Sequence, residues 1–313
     1  DEENEIHLFH GNEIDITEAV LKQIYLFNPE SKIYLIGDES TNMFNFVEHH
    51  DISQYSSGLN SFAKAYLHMS SNSYDYELFC FQRWFIIRDF VRVHKLDYFL
   101  CLDSDVLLFC NVSEAYQPYL KYDFTISDGG LPHCSLLNKN SIEAVCDYMM
   151  SLYTNESNLI RLKKFYQRFL DKNILGGVCD MTALSWYQTD VSNNVINISK
   201  PVGGSCFDNH IGVFDDFESE GDKKKIYWID NLPYGRLTID QSLIRFNCIH
   251  LQGRSKYSIF KYVVDENKVH HSGFWYNLKW SLSKEILGAR LKGIKKAIQN
   301  PRMVVNFVKA KLK

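Results

Sequence analysis

The stretch LCLDSDVLLF, residues 100–109, constrains this chain more than any other. Two acids separated by one residue sit inside an otherwise apolar run. A solvated turn tip would be followed by polar residues, whereas here Val106, Leu107, Leu108 and Phe109 follow. The pattern predicts a buried strand over 97–102 that ends at the acids and resumes extended structure at 106–109. At the carboxyl end of a strand in an open α/β sheet, side chains meet the ligand crevice. In extended geometry Asp103 and Asp105 face the same side. Two like charges so close repel unless a cation joins them, and hard divalent ions such as Mg²⁺ or Mn²⁺ suit oxygen ligands of this kind. A solvated acidic turn is the simpler alternative.

The flanking segments support an α/β class. EIHLF (5–9) and KIYLI (32–36) read as strands, separated by a helical pattern over 17–27 that Asn28-Pro29 stops. This β–α–β opening predicts parallel strands. Residues 51–76 read as irregular with a short helix. ELFCFQRWFIIRDFVRV (77–93) reads as a strongly amphipathic helix ahead of the strand with the acids. Further strands are expected at 122–126, 135–137, 225–229 and 248–251. Helices are expected at 141–153, with Ser141 as N-cap, at 159–170, and from Asp180 to Tyr187.

The 313 residues include 34 Lys or Arg and 38 Asp or Glu, a net charge of −4, which speaks against a nucleic-acid partner. The charge is segregated. Residues 284–313 hold nine Lys or Arg and one Glu, a net of +8, so the preceding residues carry −12. In that tail Ile286, Leu287, Leu291, Ile294 and Ile298 recur at helical spacing among lysines. An amphipathic, basic helix of this kind is expected to contact an anionic membrane surface. No apolar run reaches the ~18 residues of a membrane-crossing helix. The eight cysteines form no CxxC pair. Cys101 and Cys110 lie in apolar runs and are read as buried thiols.

A second constellation is HLQGRSK, residues 250–256. His250 can ligate an ion, Gly253 lets backbone approach a phosphate, and Lys256 can neutralise phosphate charge. A buried His and a surface Lys are the alternative reading. Asp180, after Gly176-Gly177, reads either as a helix-capping carboxylate or as an active-site group. Asp208, beside Gly203-Gly204, is a further candidate. Phe207, His210, Trp186 and Trp228 are candidates for an acceptor platform, with core packing as the alternative.

Taken together, the doublet, the late HLQGRSK and Arg83 in FQRWF resemble the GT-A glycosyltransferases that use a metal and a nucleotide sugar. The likeness is nearest to glycosyltransferase family 8, glycogenin-like and lipopolysaccharide galactosyltransferase-like, and covers roughly residues 5–256. The resemblance implies an α/β GT-A fold, with a Rossmann-like, mostly parallel central sheet flanked by helices. It implies a catalytic domain over 1–260, leaving 261–313 as a basic helical extension. It implies Mn²⁺ or Mg²⁺ held by Asp103, Asp105 and His250, and a nucleotide-sugar donor, expected to be a UDP-sugar. Lys256 and Gly253 would contact the diphosphate, with Ser104 and Asp208 as further donor contacts. Asp38 and His10 would lie near the nucleoside. Arg83 and Asp180 would be catalytic, with Asp180 either holding the donor sugar or serving as general base. The acceptor would be a glycan or a lipid-linked glycan, and the location cytoplasmic, at the inner face of a membrane, rather than the Golgi lumen. The chain departs from the family at HCSLLN (133–138) and at CDMT (179–182), where Asn-Ala-Gly and DQD segments are usual, so the stereochemical outcome stays open. A haloacid-dehalogenase-like phosphatase and a non-catalytic nucleotide- or glycan-binding module are the competing classes.

Overall fold

The computed structural model describes residues 5–8, 14–38, 42, 44–192 and 194–264. His10 and the basic tail read above at 284–313 lie outside the described residues. In chain order the first half contains β1 (Glu5–Leu8), α1 (Ile14–Phe27), β2 (Ile33–Gly37), β3 (Glu48–Asp51), α2 (Leu59–Ala65), α3 (Tyr74–His94), β4 (Tyr98–Leu102), β5 (Val106–Leu108), α4 (Val112–Ala115), β6 (Phe124–Ile126) and β7 (Cys134–Asn138). There follow α5 (Lys139–Thr154), α6 (Glu156–Asp171), α7 (Asp180–Asp190), β8 (Val195–Asn197), β9 (Ser205–Phe207), β10 (Ser219–Glu220), β11 (Lys223–Lys224), β12 (Tyr227–Ile229), β13 (Leu232–Arg236) and β14 (Leu243–His250). A 3₁₀ segment over Gly253–Lys261 closes the described chain.

The main sheet has the order β3-β2-β1-β4-β7-β6-β8. β3, β2, β1 and β4 run parallel, and β7 runs antiparallel to both its neighbours. This is the mixed α/β sheet expected, mostly parallel with helices packed on it. Both faces of β2 and β4 are buried. Along β2 and β4, Tyr34, Ile36, Phe99 and Cys101 join one continuous core with residues of α3, α5 and α7. The alternate Leu35, Leu100 and Leu102 are buried as well. That is why these strands read as unbroken apolar runs.

α3 begins a turn earlier than its pattern indicated, at Ser73, and ends on Lys95 in the left-handed conformation. Phe81, Trp84, Phe85 and Phe90 fill the core from this helix. For α5 the expected N-cap, Ser141, is displaced. Asn138 is the cap, accepting from the Ser141 amide at 2.9 Å, while the Ser141 hydroxyl accepts from the Asn138 amide, a reciprocal capping box. The last strand is eight residues long rather than four, because Ile244 and Phe246 alternate into a second core with Cys206 and Phe217.

A second sheet, β12-β13-β14-β5, decides where the site forms, with β9 added in parallel on β14. β4 belongs to the first sheet and β5 to the second, so residues 103–105 are the crossing point. β5 pairs antiparallel with the end of β14, Val106 opposite His250. The cysteines among the described residues are free thiols, with Cys101 and Cys110 buried as expected. Among the described residues no helix is long and apolar enough to cross a membrane.

Candidate active site

The acidic doublet is held from both sides. The Asp103 amide donates to the His133 carbonyl at 2.9 Å, and the Asp105 carbonyl accepts from the Leu251 amide at 2.9 Å. The first bond ties the turn to the start of β7, the second to the residue after β14. The antiparallel β5–β14 pairing therefore carries His250, 145 positions away in sequence from Asp105, to 3.5 Å from the Asp105 carboxylate.

Extended geometry suggested that both carboxylates share one side. They divide instead. Asp105 faces His250, whereas Asp103 accepts from Arg83 Nη1 at 2.8 Å. Arg83 continues onward to Asp180, donating to Oδ2 from Nε at 3.2 Å and from Nη2 at 2.7 Å. Its neighbour on α3, Trp84, donates Nε1–H to the same oxygen at 3.1 Å. Asp180 is the first residue of α7, and Cys179, not Asp180, is the N-cap. Its Oδ1 nevertheless accepts the next amide, Met181 N–H, at 2.9 Å, so the helix start and the site share this carboxylate. Trp84 carried no signal of this role, since a Trp on an apolar helix face reads as core.

Burial works against the charge of Arg83, but the Asp180 and Asp103 carboxylates outweigh it and hold the guanidinium firmly charged. Burial raises Asp103 above the ordinary carboxylate range despite Arg83. Asp105 lies below that range, because the His250 hydrogen bond and charge, with Lys256 behind them, overcome its burial. His250 is correspondingly raised by Asp105 against its own burial.

His250 is the most constrained group in the site. Its Nδ1 lies 2.7 Å from the Asn209 carbonyl, which can only accept, so Nδ1 carries a hydrogen. Nε2 is thereby aimed at the Asp105 carboxylate. A His250 lone pair and a carboxylate oxygen facing each other require a positive charge between them, a proton or a metal ion. If the proton is lost from His250 Nε2, this imidazole nitrogen and the Asp105 carboxylate are borderline-to-hard donors of the kind that bind a divalent ion. Asp103 is the third candidate ligand, but its carboxylate is held by Arg83. Among the described residues no His, Cys, Asp or Glu group of three or more is arranged to grip an ion.

Beneath His250 lies a second layer. His133 stacks on it, ring centroids 3.9 Å apart and planes 10° from parallel. His133 Nε2 donates to the Asp208 carbonyl at 2.9 Å. Burial and the His250 charge keep His133 well below the ordinary imidazole value, hence neutral. The Asp208 carboxylate, expected to meet the donor, is 2% exposed and turned inward. Its Oδ2 accepts the His250 amide at 3.1 Å, and its Oδ1 accepts Lys224 Nζ at 2.7 Å. Lys224, on the two-residue β11, is 2% exposed and also reaches Asp215 at 3.0 Å. Nothing in the sequence marked Lys224, which stands in the run KKK at 223–225 and reads as surface charge.

The remaining predicted residues take these places. Ser104 sits at the crossing turn, partly exposed. Lys256 is half-buried on the 3₁₀ segment and close enough in charge to lower Asp105. Gly253 has φ +63, and a Cβ there would meet nothing within 4 Å. Its glycine is required by the backbone conformation, and the space beside it is open. Asp38 is exposed at the end of β2, two strands from β4, its carbonyl accepting from His49 at 3.0 Å. Phe207 is fully buried and so is core rather than platform, while Trp228 is half-buried with its ring edge-on against Phe109 at 5.8 Å. His210 lies 5.8 Å from His250. Trp186 lies on α7 against α6.

No protein-family profile matches the chain, and no curated protein matches it either. Similar solved structures include mouse xyloside xylosyltransferase 1 in its apo form, 11% identical over 63% of this chain and 85% of that one, with a TM-score of 0.42. The galactosyltransferase LgtC with donor and acceptor sugar analogs is 12% identical over 62% of this chain and 73% of that one, TM-score 0.35. A glycosyltransferase involved in glycosylating the major capsid of PBCV-1 is 11% identical over 83% of this chain and 98% of that one, TM-score 0.40.

Proposed function

We propose that the chain is a glycosyltransferase that moves a sugar from a nucleoside diphosphate donor, a UDP-sugar, to a glycan hydroxyl. The observation that carries this reading is the juxtaposition of two charge systems at the crossing of two sheets. One is Asp105 with His250, the other Arg83 between Asp103 and Asp180. Breaking a sugar–phosphate bond places negative charge on the departing diphosphate. A site for it needs fixed positive charge where that charge grows.

Arg83 is a cation held in a fixed orientation, its charge balanced by Asp103 and Asp180. Two acids and a helix fix its fork, so little reorganisation accompanies the reaction. Lys256, on the segment that begins at Gly253, is the second cation. A divalent Mn or Mg ion bound by Asp105 and His250, with Asp103, would add Lewis-acid charge against the diphosphate. Asp180 Oδ2 already accepts three hydrogen bonds. It acts by orienting Arg83 and the donor sugar rather than by taking a proton from the acceptor. Asp38 and His10 are assigned to the nucleoside, and Ser104 to the donor beside the doublet. The basic tail at 284–313 is assigned to an anionic membrane face, which would present a lipid-linked acceptor.

The test is release of free nucleotide from a panel of nucleotide sugars with and without Mn²⁺, in the native chain and in Asp105→Asn and His250→Ala. Removing one fixed electrostatic partner of a developing charge costs about 100-fold in turnover. Metal-dependent nucleotide release that is unchanged in both variants overturns the assignment.

A further inference from the structure

Gly253, at φ +63, turns the chain out of β14 into the 3₁₀ segment. The side chains of residues 252–257 are exposed or half-buried, so apolar packing does not fix the part of the segment that carries Lys256. Ile259, further on, is fully buried. Two polar contacts reach the near part instead, both from the stretch between β9 and the end of β11. His210 Nδ1 accepts the Gly212 amide at 3.0 Å, so the ring hydrogen sits on Nε2, which donates to the Gln252 carbonyl at 3.2 Å. That carbonyl also accepts the Ser255 amide at 3.3 Å, at the first turn of the segment. Lys223 Nζ donates to the Ser258 hydroxyl at 2.9 Å, and this hydroxyl donates to the Ser255 carbonyl at 2.7 Å. Lys223 and Lys224 are neighbours on β11, and alternation along the strand sends their side chains to opposite sides. Lys224 turns inward to Asp208 and anchors the stretch from which both contacts come, and Lys256 lies between them.

We infer that His210 and Lys223 are positioning residues that clamp the Gly253–Lys261 segment, so that the Lys256 ammonium is held beside Asp105. The physical reason is entropic. A flexible four-carbon side chain on an unpacked turn spreads its charge over many positions. Fixing the backbone beneath it concentrates that charge at one place before a ligand arrives. A neutral imidazole suits the first contact, because it accepts from one backbone group and donates to another at once. The clamp stands on the contacts themselves; that Lys256 meets a diphosphate rests on the transfer reading above.

The experiment uses the full chain and pairs amide hydrogen exchange over residues 252–261 with calorimetry of UDP in the presence of Mn²⁺. In His210→Ala and in Lys223→Met, exchange over 252–258 is expected to quicken about threefold or more, the loss of one hydrogen bond, while β4 keeps its native protection. UDP is expected to bind about threefold more weakly in each, and about tenfold more weakly in Lys256→Ala. In the Lys256→Ala background neither clamp substitution is expected to weaken UDP further, as a residue acting through Lys256 requires. His210→Gln, which keeps an N–H for the Gln252 carbonyl, is expected to restore native exchange and affinity. Because the His210 ring lies 5.8 Å from that of His250, Lys223→Met provides the independent reading. Exchange unchanged in both variants overturns the inference. So does UDP affinity that falls equally with and without Lys256, or that stays native in both clamp variants while Lys256→Ala lowers it. Quickened exchange, with UDP binding that Lys256→Ala leaves untouched, upholds the clamp and removes the diphosphate role of Lys256 from the transfer reading.

Discussion

Lys224 shows how much of the site depends on a residue that never faces it. A buried ammonium and the buried Asp208 carboxylate neutralise one another, and Asp208 then fixes the His250 backbone. Lys224→Met leaves the buried Asp208 carboxylate without its cation, which costs about 3–5 kcal/mol by the usual penalty for breaking a buried pair. Urea unfolding checks this, and the double variant Lys224→Met, Asp208→Asn is expected to recover part of the loss. If His250 is held through this pair, Mn²⁺ affinity falls in the single variant even where the protein stays folded. A second residue-scale prediction concerns Glu77 at the start of α3. It is buried, its Oε1 accepts from Asn72 at 2.6 Å, and its Oε2 is unpartnered. Burial raises its pKa, and the Asn72 hydrogen bond opposes this only in part. A raised carboxylate favours folding in its protonated form. Its contribution is therefore fully present below the ordinary carboxylate value and is lost as pH rises through the raised folded value. Glu77→Gln is expected to gain stability relative to the native chain between pH 4 and neutrality. Parallel denaturation curves at the two pH values would contradict it.

At the scale of elements, the loop joining α6 to α7 sets the position of Asp180. Gly177 forms a bridge with Ser70, and the next amide, Val178 N–H, donates to the Met69 carbonyl at 2.7 Å. A Cβ on Gly177 would lie 2.3 Å from that same carbonyl oxygen. Gly177→Ala must therefore displace backbone, with a cost of about 1–3 kcal/mol typical of overpacking. Because Asp180 follows three residues later, nucleotide release is expected to fall with stability, whereas Gly203→Ala, strained by its φ of +60 but with open space around it, costs stability and leaves release intact. Three Asn-x-Ser sequences, at Asn111, Asn155 and Asn197, each serve the local backbone. Asn111 and Asn155 cap α4 and α6, and Asn197 accepts from the Ser199 amide at 2.9 Å.

At the scale of the whole molecule, charge is divided between a body of −12 and a tail of +8. Each cation near an anionic surface contributes about 1 kcal/mol, diminished by salt. A chain ending at residue 283 is expected to lose salt-sensitive sedimentation with anionic liposomes while releasing nucleotide as before. Equal sedimentation of the two chains would remove the membrane assignment.

The apolar periodicity marked five strands of the main sheet, α3 and the burial of β4, because such elements need only local order to be read, while the short β3 (EHHD) and β8 carried no such pattern. The acids at 103 and 105 and the imidazole at 250 were legible as charges left inside apolar runs. What the sequence did not contain was their partition. Whether Asp103 turns to Asp105 or to Arg83 depends on α3, and the meeting of Asp105 with His250 depends on the antiparallel register of β5 and β14. Lys224, Trp84 and His133 were silent for the same reason: their roles are made by neighbours far away in the chain, brought close only when two sheets pack and exclude water from the groups between them.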